Sequence, residues 1–198
     1  AAVLKIFMGA LAGGPVGLVG ARPPALSSTV YSLATVDAAG EQNMNIVTYA
    51  MPASLPQSQV WAVSMFKGTV SEGTMRARRR GMLQILSESH ADLVPILGKT
   101  SRRDVDKLAR AVEMGHAIVQ VKEAADDRSP EPLAHVPILA GCIGYLDLVV
   151  ESIVPAGDHD LYMCRVLAYS PMGGTNSDGR FVSPPLTTAH LRARQLIG

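Results

Sequence analysis

Two long apolar segments on either side of a tight turn constrain the fold of this chain more than any other feature. Cys142–Val154 contains no proline and a single glycine, and Leu161–Tyr169 follows it almost at once. The turn between them, Pro155–Asp158, carries proline, glycine and aspartate, which are typical turn residues. The pattern predicts a long antiparallel β-hairpin. Its register keeps Cys142 and Cys164 apart, so we expect two small buried hydrophobes rather than a disulfide.

Further strand-like runs precede this hairpin. They are Val30–Val36 and Met44–Ala50, on either side of an Asp37–Gly40 loop, then Val60–Phe66, Met82–Leu86 and Ala117–Val121. The alternation of side chains along Val60–Phe66 is typical of a strand. Because helices do not alternate regularly with these runs, we predict a mainly β, α+β fold: an antiparallel barrel of six to seven strands. No glycine-rich dinucleotide or P-loop motif is present.

Several segments have the period of a helix. Ser71–Arg80 is expected to end at Gly81, and His90–Leu97 at Gly98. Ser101 resembles the cap of another helix. The apolar stripe predicted for that helix consists of Val105, Leu108, Ala109 and Val112. A C-terminal helix is predicted over 187–197.

A cluster of arginines closes the first of these helices. The cluster consists of Arg76, Arg78, Arg79 and Arg80. Such a cluster suits a nucleic acid or the 2′-phosphate of NADPH, but a solvated helix end is the favoured interpretation. No interleaved aromatic residues support stacking on bases.

The composition limits the classes of partner. With 198 residues, 47% of them hydrophobic, the chain has enough apolar material for one core, and a single domain over 1–198 is predicted. A net charge of +1 gives no field for nucleic acid. Only 18% of residues are charged, so apolar surface has to be covered, and a homodimer is expected. The histidines have no metal-ligand spacing, so no metal is predicted.

The beginning of the chain has a pattern of its own. Val3, Ile6, Phe7 and Ala10 recur at helical spacing, which predicts a docked amphipathic helix over residues 1–12. A secretory signal is disfavoured because Lys5 is the lone basic residue there. The absence of an initial methionine suggests a trimmed precursor. Apolar stretches fall short of the roughly 20 residues that span a bilayer, so a soluble protein of the cytoplasm or plastid stroma is expected.

Two segments about 110 residues apart give the clearest functional signal. Asn45-Ile46-Val47-Thr48-Tyr49-Ala50 and the Gly157-Asp158-His159 turn together resemble the flavin reductase-like, FMN-binding split-barrel family. The resemblance runs from about Pro15 to Tyr169, which is the predicted barrel region 15–169. Residues 97–108 look like the family's S-G-R-D-V-D-K-F segment. The Tyr-Ala after Thr48 is similar to the branch found in oxygenic phototrophs.

The resemblance implies a site for FMN and for NADH or NADPH. The residues implied at the flavin's pyrimidine edge are Asn45, Thr48, Tyr49 and Ala50. Those implied at its phosphate are Ser64, Lys67 and Thr69, and those implied at a dinucleotide phosphate are Arg102, Arg103 and Lys107. His159 is implied at the reactive face, where an imidazole can orient the nicotinamide.

Each assignment has a plainer alternative. Asn45, Thr48 and Ser64 suit ordinary strand and turn chemistry, Lys67 suits a solvated surface, and His159 suits the closing of a turn. The chain also departs from the family pattern. Arg102 stands where a glycine is frequent, and Leu108 where an aromatic residue is common.

The predicted activity is transfer of hydride from a nicotinamide to flavin N5, with a protein as one candidate electron acceptor. Positioning of the reacting atoms would then supply most of the catalysis. The homodimer would have its flavin site near the interface. The alternative is an FMN-binding or flavin-free subunit that docks in a larger assembly. Pyridoxamine-phosphate oxidation on the same barrel is disfavoured by the Gly-Asp-His turn, although fold alone does not fix function.

Overall fold

A computed structural model describes residues 26–55, 59–126, 133–173, 177–178 and 182–197. The helix predicted over 1–12 and the strand resemblance beginning at Pro15 lie outside these residues. Within them the chain is mostly β-structure. The strands are β1 (Tyr31–Val36), β2 (Gln42–Val47), β3 (Ala50–Pro52), β4 (Val60–Phe66), β5 (Arg80–Ile85), β6 (Ile118–Lys122), β7 (His135–Leu139), β8 (Gly144–Ala156) and β9 (His159–Pro171).

Seven strands form one curled antiparallel sheet, a half-barrel with the order β2-β1-β5-β8-β9-β4-β3. This confirms the predicted fold class. A separate ribbon of β6 and β7 was only half predicted, because Pro137 within β7 weakens the strand signal. The predicted strand Met44–Ala50 is wrong as one element. It breaks after Val47, and the chain passes from β2 at one edge of the sheet to β3 at the other.

The β8–β9 hairpin is the longest element of the sheet. Gly157 and Asp158 form its two-residue turn, and Gly157 has φ of 65°, a conformation that glycine adopts without steric cost. Cys164 lies opposite Val150, and both cysteines are buried and free. The predicted absence of a disulfide is confirmed.

Side chains on the two faces of the sheet form two apolar clusters. On β1, Leu33 belongs to one cluster and Ala34 to the other, as the alternation of a strand requires. The same division separates Leu83 from Met82 on β5. The sheet is therefore covered on both faces, which explains the long apolar runs in the sequence.

The helices are α1 (Val70–Arg78), a 3₁₀ helix (Glu88–Leu93), α2 (Val94–Lys99), α3 (Lys107–Glu113) and α4 (Thr188–Ala193). Helix α1 ends at Arg79, which is left-handed with φ of 58°. The prediction that Gly81 ends this helix is wrong. Gly81 lies in β5, where a Cβ atom would come within 2.5 Å of the Met75 sulfur, so it allows α1 to pack on the sheet.

Two other helix boundaries differ from prediction. Gly98 lies inside α2, and Asp106 rather than Ser101 caps α3, since its carboxylate accepts from the N–H groups of Leu108 and Ala109. The predicted stripe is right only in part: Leu108 packs against the core, whereas Ala109 and Val112 are exposed. The buried residues of α3 are Lys107 and Ala111.

The arginine cluster is a solvated helix end only in part, since Arg76 and Arg79 are exposed whereas Arg78 and Arg80 are buried. Arg78 pairs with Glu123 at 3.1 Å, and Arg80 pairs with Asp147 at 3.1 Å. All four side chains are buried. Among the residues described, no helix is long and apolar enough to cross a bilayer.

Candidate functional site

A cleft of about 400 Å³ opens where the two edges of the half-barrel approach each other. Ser64 N–H donates to the Tyr49 carbonyl at 2.8 Å, which joins β4 to the chain between β2 and β3. Four segments line the cleft: β2 with the residues after it, the β4–α1 turn, the α2–α3 loop and the tip of the β8–β9 hairpin. Its volume lies within the range of small-molecule sites.

Two asparagines of β2 form one wall of the cleft. Asn43 and Asn45 are two residues apart, so they lie on the same face of the strand. Asn43 Nδ2 donates to Ser71 Oγ at 2.8 Å, which ties the strand to the start of α1. In the part of the chain that the structure describes, the Oδ1 atoms of both asparagines are buried without a hydrogen-bond partner. Since buried polar atoms are usually paired, these two fit a ligand that carries donors.

The β4–α1 turn forms a cradle beside this wall. Thr69 caps α1: its hydroxyl accepts from Glu72 N–H at 3.2 Å and donates to the Phe66 carbonyl at 3.2 Å. Gly68 precedes it with φ of 79°. The first N–H groups of a helix lack intrahelical acceptors and carry partial positive charge. The start of α1, with the Thr69 and Ser64 hydroxyls, therefore suits a phosphate.

Glu72 lies behind the cradle and is held by other groups. It accepts a hydrogen bond from the Tyr162 hydroxyl at 2.6 Å and pairs with Arg76 at 2.9 Å. Although burial acts in the opposite direction, these partners lower the pKa of Glu72 below its usual value. Burial and the neighbouring Glu72 raise the pKa of Tyr162. The Glu72 carboxylate beneath the cradle is thus occupied by contacts within the protein.

Cations from the α2–α3 loop and from α3 form the opposite wall. Arg102 pairs with Glu41 and lies 3.9 Å from Asp37, whereas Arg103 is exposed and has no carboxylate within 4.0 Å among the described residues. Lys107 is buried, and its amine donates to the Leu97 and Met44 carbonyls. Burial lowers the pKa of Lys107 to about 8. Among the residues that the structure describes, no aspartate or glutamate lines the cleft.

The tip of the β8–β9 hairpin closes the fourth side. His159 Nδ1 lies 2.7 Å from Asp158 Oδ1, and this contact lowers the pKa of Asp158. The His159 ring meets Phe66 edge-on at 5.4 Å and Tyr49 at 5.8 Å between centroids. The imidazole is held by a carboxylate and two rings, and its orientation is fixed on the Nδ1 side.

Most of the residues named from the sequence meet in this cleft. Those that line it are Asn45, Thr48, Tyr49, Ser64, Thr69, Arg102, Lys107 and His159. Ala50 and Lys67 do not line it. Lys67 instead donates to the Gly157 carbonyl at 2.7 Å and lies 3.5 Å from Asp160, so it fastens the hairpin turn to β4.

Sequence reasoning missed several lining residues, among them Asn43, Phe66 and Ser71. The alternation of Asn43 with Asn45 was a usable signal, because two amides on one strand face are unusual beside an apolar core. Phe66 and Ser71 lie at the ends of elements whose relation appears only in the fold. In the described residues, no three histidine, cysteine, aspartate or glutamate side chains converge as a metal site would require.

The sequence matches the family model described as "Flavin reductase like domain" over residues 24–194. The match covers most of the chain and includes every strand and helix described above. The chain therefore belongs to the flavin reductase-like domain family, a class of flavin-dependent oxidoreductases. No curated protein matched the sequence.

Solved structures share the fold at low sequence identity. An FMN-binding protein from Thermus thermophilus superposes with a TM-score of 0.61 at 21% identity, covering 81% of this chain and 84% of that one. Flavoredoxin of Desulfovibrio vulgaris gives 0.63 at 17% identity over 82% and 80%. The styrene monooxygenase flavin reductase of Pseudomonas putida S12 gives 0.59 at 18% identity over 82% and 86%.

A longer structural neighbour is an oxidoreductase structure from Sinorhizobium meliloti 1021. Its TM-score is 0.60 at 18% identity, and the match covers 82% of this chain but only 47% of that one. The chain thus spans about half the length of that neighbour. At such identities the likeness shows the fold, and the chemistry has to be argued from this chain's own residues.

Proposed function

We propose that this protein is an FMN-dependent oxidoreductase that accepts hydride from NADH or NADPH. The observation that carries the proposal is the chemistry of the cleft. Cations, a helix N-terminus and two unpartnered amide oxygens converge there, and no carboxylate is among the lining residues. Such a site favours an anionic ligand with a polar, N–H-bearing ring, and FMN has both parts.

The residues divide between the two ends of this ligand. Ser64, Thr69 and the first N–H groups of α1 would hold the phosphate. Asn43, Asn45 and the residues after β2 would meet the ring, where the unpartnered Oδ1 atoms accept from N–H donors. When bound, FMN supplies the hydride-accepting chemistry at its N5 atom.

His159 would act by orienting the second substrate. Asp158 fixes its Nδ1 side, and the neighbouring Phe66 and Tyr49 rings restrict its movement. No proton transfer would be required of the imidazole, because a hydride would pass directly from the nicotinamide to the flavin. Holding the reacting atoms about 3–3.5 Å apart is then its contribution.

A homodimer is part of the proposal, with the cleft near its interface. The support is a set of exposed apolar side chains around the cleft mouth and the neighbouring sheet edge: Tyr49, Met51, Leu55, Phe66 and Val154. Exposed apolar clusters of this kind are usually covered by a partner. A protein electron acceptor would compete for the same surface.

An absorbance spectrum tests the proposal directly. The purified protein is expected to bind FMN and to show flavin absorbance that bleaches under anaerobic conditions when NADH or NADPH is added. A protein that binds FMN but is not bleached by either nucleotide would contradict the reductase activity alone. A protein that binds no flavin at neutral pH would contradict the whole proposal.

The role of His159 needs its own experiment. His159→Ala should slow flavin reduction about tenfold or more, because an orienting contact is lost, while FMN affinity changes little. His135→Ala is the matched control, since His135 is exposed on β7 and does not line the cleft. Equal reduction rates for both variants would return His159 to the role of a turn residue.

The docking-subunit alternative has one observation in its favour. The exposed apolar residues listed for the homodimer fit a different protein equally well. Native mass measurement separates the two. A stable homodimer that carries flavin supports the enzyme, whereas a chain that is stable only in a hetero-complex supports the subunit.

A further inference from the structure

Lys107 differs from the other cations of the cleft because it is buried. Its exposed fraction is 5%, and it is the first residue of α3. Its amine reaches two other elements, donating to the Leu97 carbonyl of α2 at 2.9 Å and to the Met44 carbonyl of β2 at 3.3 Å. An ammonium has three donors, so one remains after these two contacts.

No carboxylate lies within 4.0 Å of this amine among the described residues. The titratable groups on the elements around it are Lys99, Arg102, Arg103, Asp104, Asp106, Arg110 and Glu113, with Asp37 and Glu41 in the β1–β2 turn, and Glu113 pairs with Arg110. Asp106 accepts from two N–H groups of α3. Glu41 pairs with Arg102. The polar side chains that strand β2 contributes to the cleft are the neutral Asn43 and Asn45.

A buried ammonium without an anion is unfavourable, because two carbonyls replace its hydration only in part. Its position at the N-terminus of α3 adds to the cost, since that end of a helix carries partial positive charge. Burial is the cause of the lowered pKa of Lys107, about 8. An anion placed beside the amine would reverse both effects.

We infer that Lys107 is the residue that donates to an acceptor oxygen of the bound flavin nucleotide, and that binding takes up a proton whenever the free amine is neutral. The inference rests on the proposed function and deepens it. It assigns Lys107 to the flavin rather than to a dinucleotide phosphate. Two oxygens of the ligand share the required chemistry: those of the phosphate and those at the pyrimidine edge of the ring.

The experiment measures the dissociation constant of FMN across pH. For the wild-type protein we expect binding to be about tenfold weaker at about pH 9 than at about pH 7, since the protonated fraction of Lys107 falls about tenfold per pH unit above its pKa. Calorimetry in two buffers with different ionisation enthalpies should show uptake of close to one proton per FMN at the higher pH. Little uptake is expected at the lower pH.

Riboflavin identifies the oxygen. It has the same ring and no phosphate, so a pH slope confined to FMN assigns Lys107 to the phosphate. A parallel slope for riboflavin assigns it to the ring. Either slope supports the inference.

Two variants separate charge from packing. Lys107→Arg keeps a permanent charge and should bind FMN with a nearly flat pH profile. Lys107→Met should bind weakly at every pH, also with a flat profile. If the methionine variant does not fold, the arginine variant alone is decisive.

The outcomes distinguish this inference from the proposed function. Tight FMN binding that does not change between about pH 7 and about pH 9 would overturn the role of Lys107 and leave the flavin site standing. A slope that persists in Lys107→Arg would overturn it too. Absence of flavin binding at neutral pH would overturn both.

Discussion

Arg78 and Arg80 are buried beside the sheet, and each is paired with a carboxylate from another element. Lys107 is buried to a similar degree, and Arg103 is exposed at the same cleft, yet neither has an acid within 4.0 Å in the described part of the chain. The first pair of charges is neutralised inside the protein. The charges of Lys107 and Arg103 are not neutralised by a carboxylate of the described residues, so they are available to a ligand. Buried charge thus marks structure in one region and the proposed ligand site in the other.

The largest change in stability is expected when one partner of a buried ion pair is removed. Asp147→Asn should lower the free energy of unfolding by about 3–5 kcal/mol, because it leaves the Arg80 guanidinium buried without a counter-charge. Asp147 also accepts from Ala124 N–H at 2.6 Å, so the loop after β6 should loosen as well. Urea denaturation measures the change.

Two controls accompany this variant. Glu113→Gln breaks the exposed Arg110–Glu113 pair and should cost no more than about 0.5 kcal/mol. The double change Arg80→Met with Asp147→Leu should recover much of the loss, since burial raises the pKa of Asp147 even beside Arg80 and the pair is costly to bury. If the Asp147→Asn variant alone were as stable as the wild type, the proposed difference between paired and unpaired buried cations would be contradicted.

An intermediate effect is expected at Lys107 in the flavin-free protein. Its folded-state pKa of about 8 lies below the ordinary 10.5, so the unfolded chain binds more protons between these values. Stability contributed by this residue therefore rises with pH across that window, on the order of 2 kcal/mol. Lys107→Met should lack the rise.

Thermal or urea unfolding of both proteins at several pH values measures the difference. The wild type has to be compared with Lys107→Met, because burial raises the pKa of Cys142 to about 11 and this thiol titrates in both proteins alike. Parallel stability curves for wild type and variant would show that Lys107 is not a strained cation, and the comparison with Arg80 would fail.

The smallest effect concerns Arg103. Arg103→Gln should weaken FMN binding by about three- to tenfold, with less effect at high salt, because an exposed charge acts through a screened field. Arg102→Gln is the matched control and should change affinity less, since Arg102 is already paired with Glu41. A larger loss of FMN affinity in Arg102→Gln than in Arg103→Gln would show that Arg102, and not Arg103, attracts the ligand.

Much of the sheet was readable from the sequence, because apolar runs of strand length appear where strands lie. The helix boundaries were less accurate. Gly81 was predicted to end a helix, since glycine often does so. In the structure it lies in β5, where the absence of a side chain allows Met75 of α1 to pack against it. Such a contact between elements leaves no local pattern.

The candidate site was predicted in its composition and not in its arrangement. Asn45, Thr48, Ser64 and Thr69 were chosen from short segments, and all of them line the cleft. The strand Met44–Ala50 was expected to be continuous, so its crossing between sheet edges after Val47 was missed. That crossing brings β2 beside β4 and creates the cleft. Lys67, which the resemblance placed at the phosphate, does not line the cleft, because its amine donates to the Gly157 carbonyl of the hairpin turn.

The pairing of β8 with β9 shifts twice, between Asp147 and Leu148 and again between Val150 and Ser152. The extra residue is Leu167 on β9 in the first shift and Glu151 on β8 in the second, so the two shifts cancel before the turn. Side chains alternate along a strand, so the parity of this count must match at the turn that leads into His159, whose face is also fixed by the unshifted pairing of β9 with β4. A deletion of Glu151 alone would change that parity about eight residues from the histidine. The orientation of the hairpin tip therefore depends on the number of residues in the middle of the β8–β9 pairing. Paired insertions or deletions there would alter the site without changing any residue that lines it.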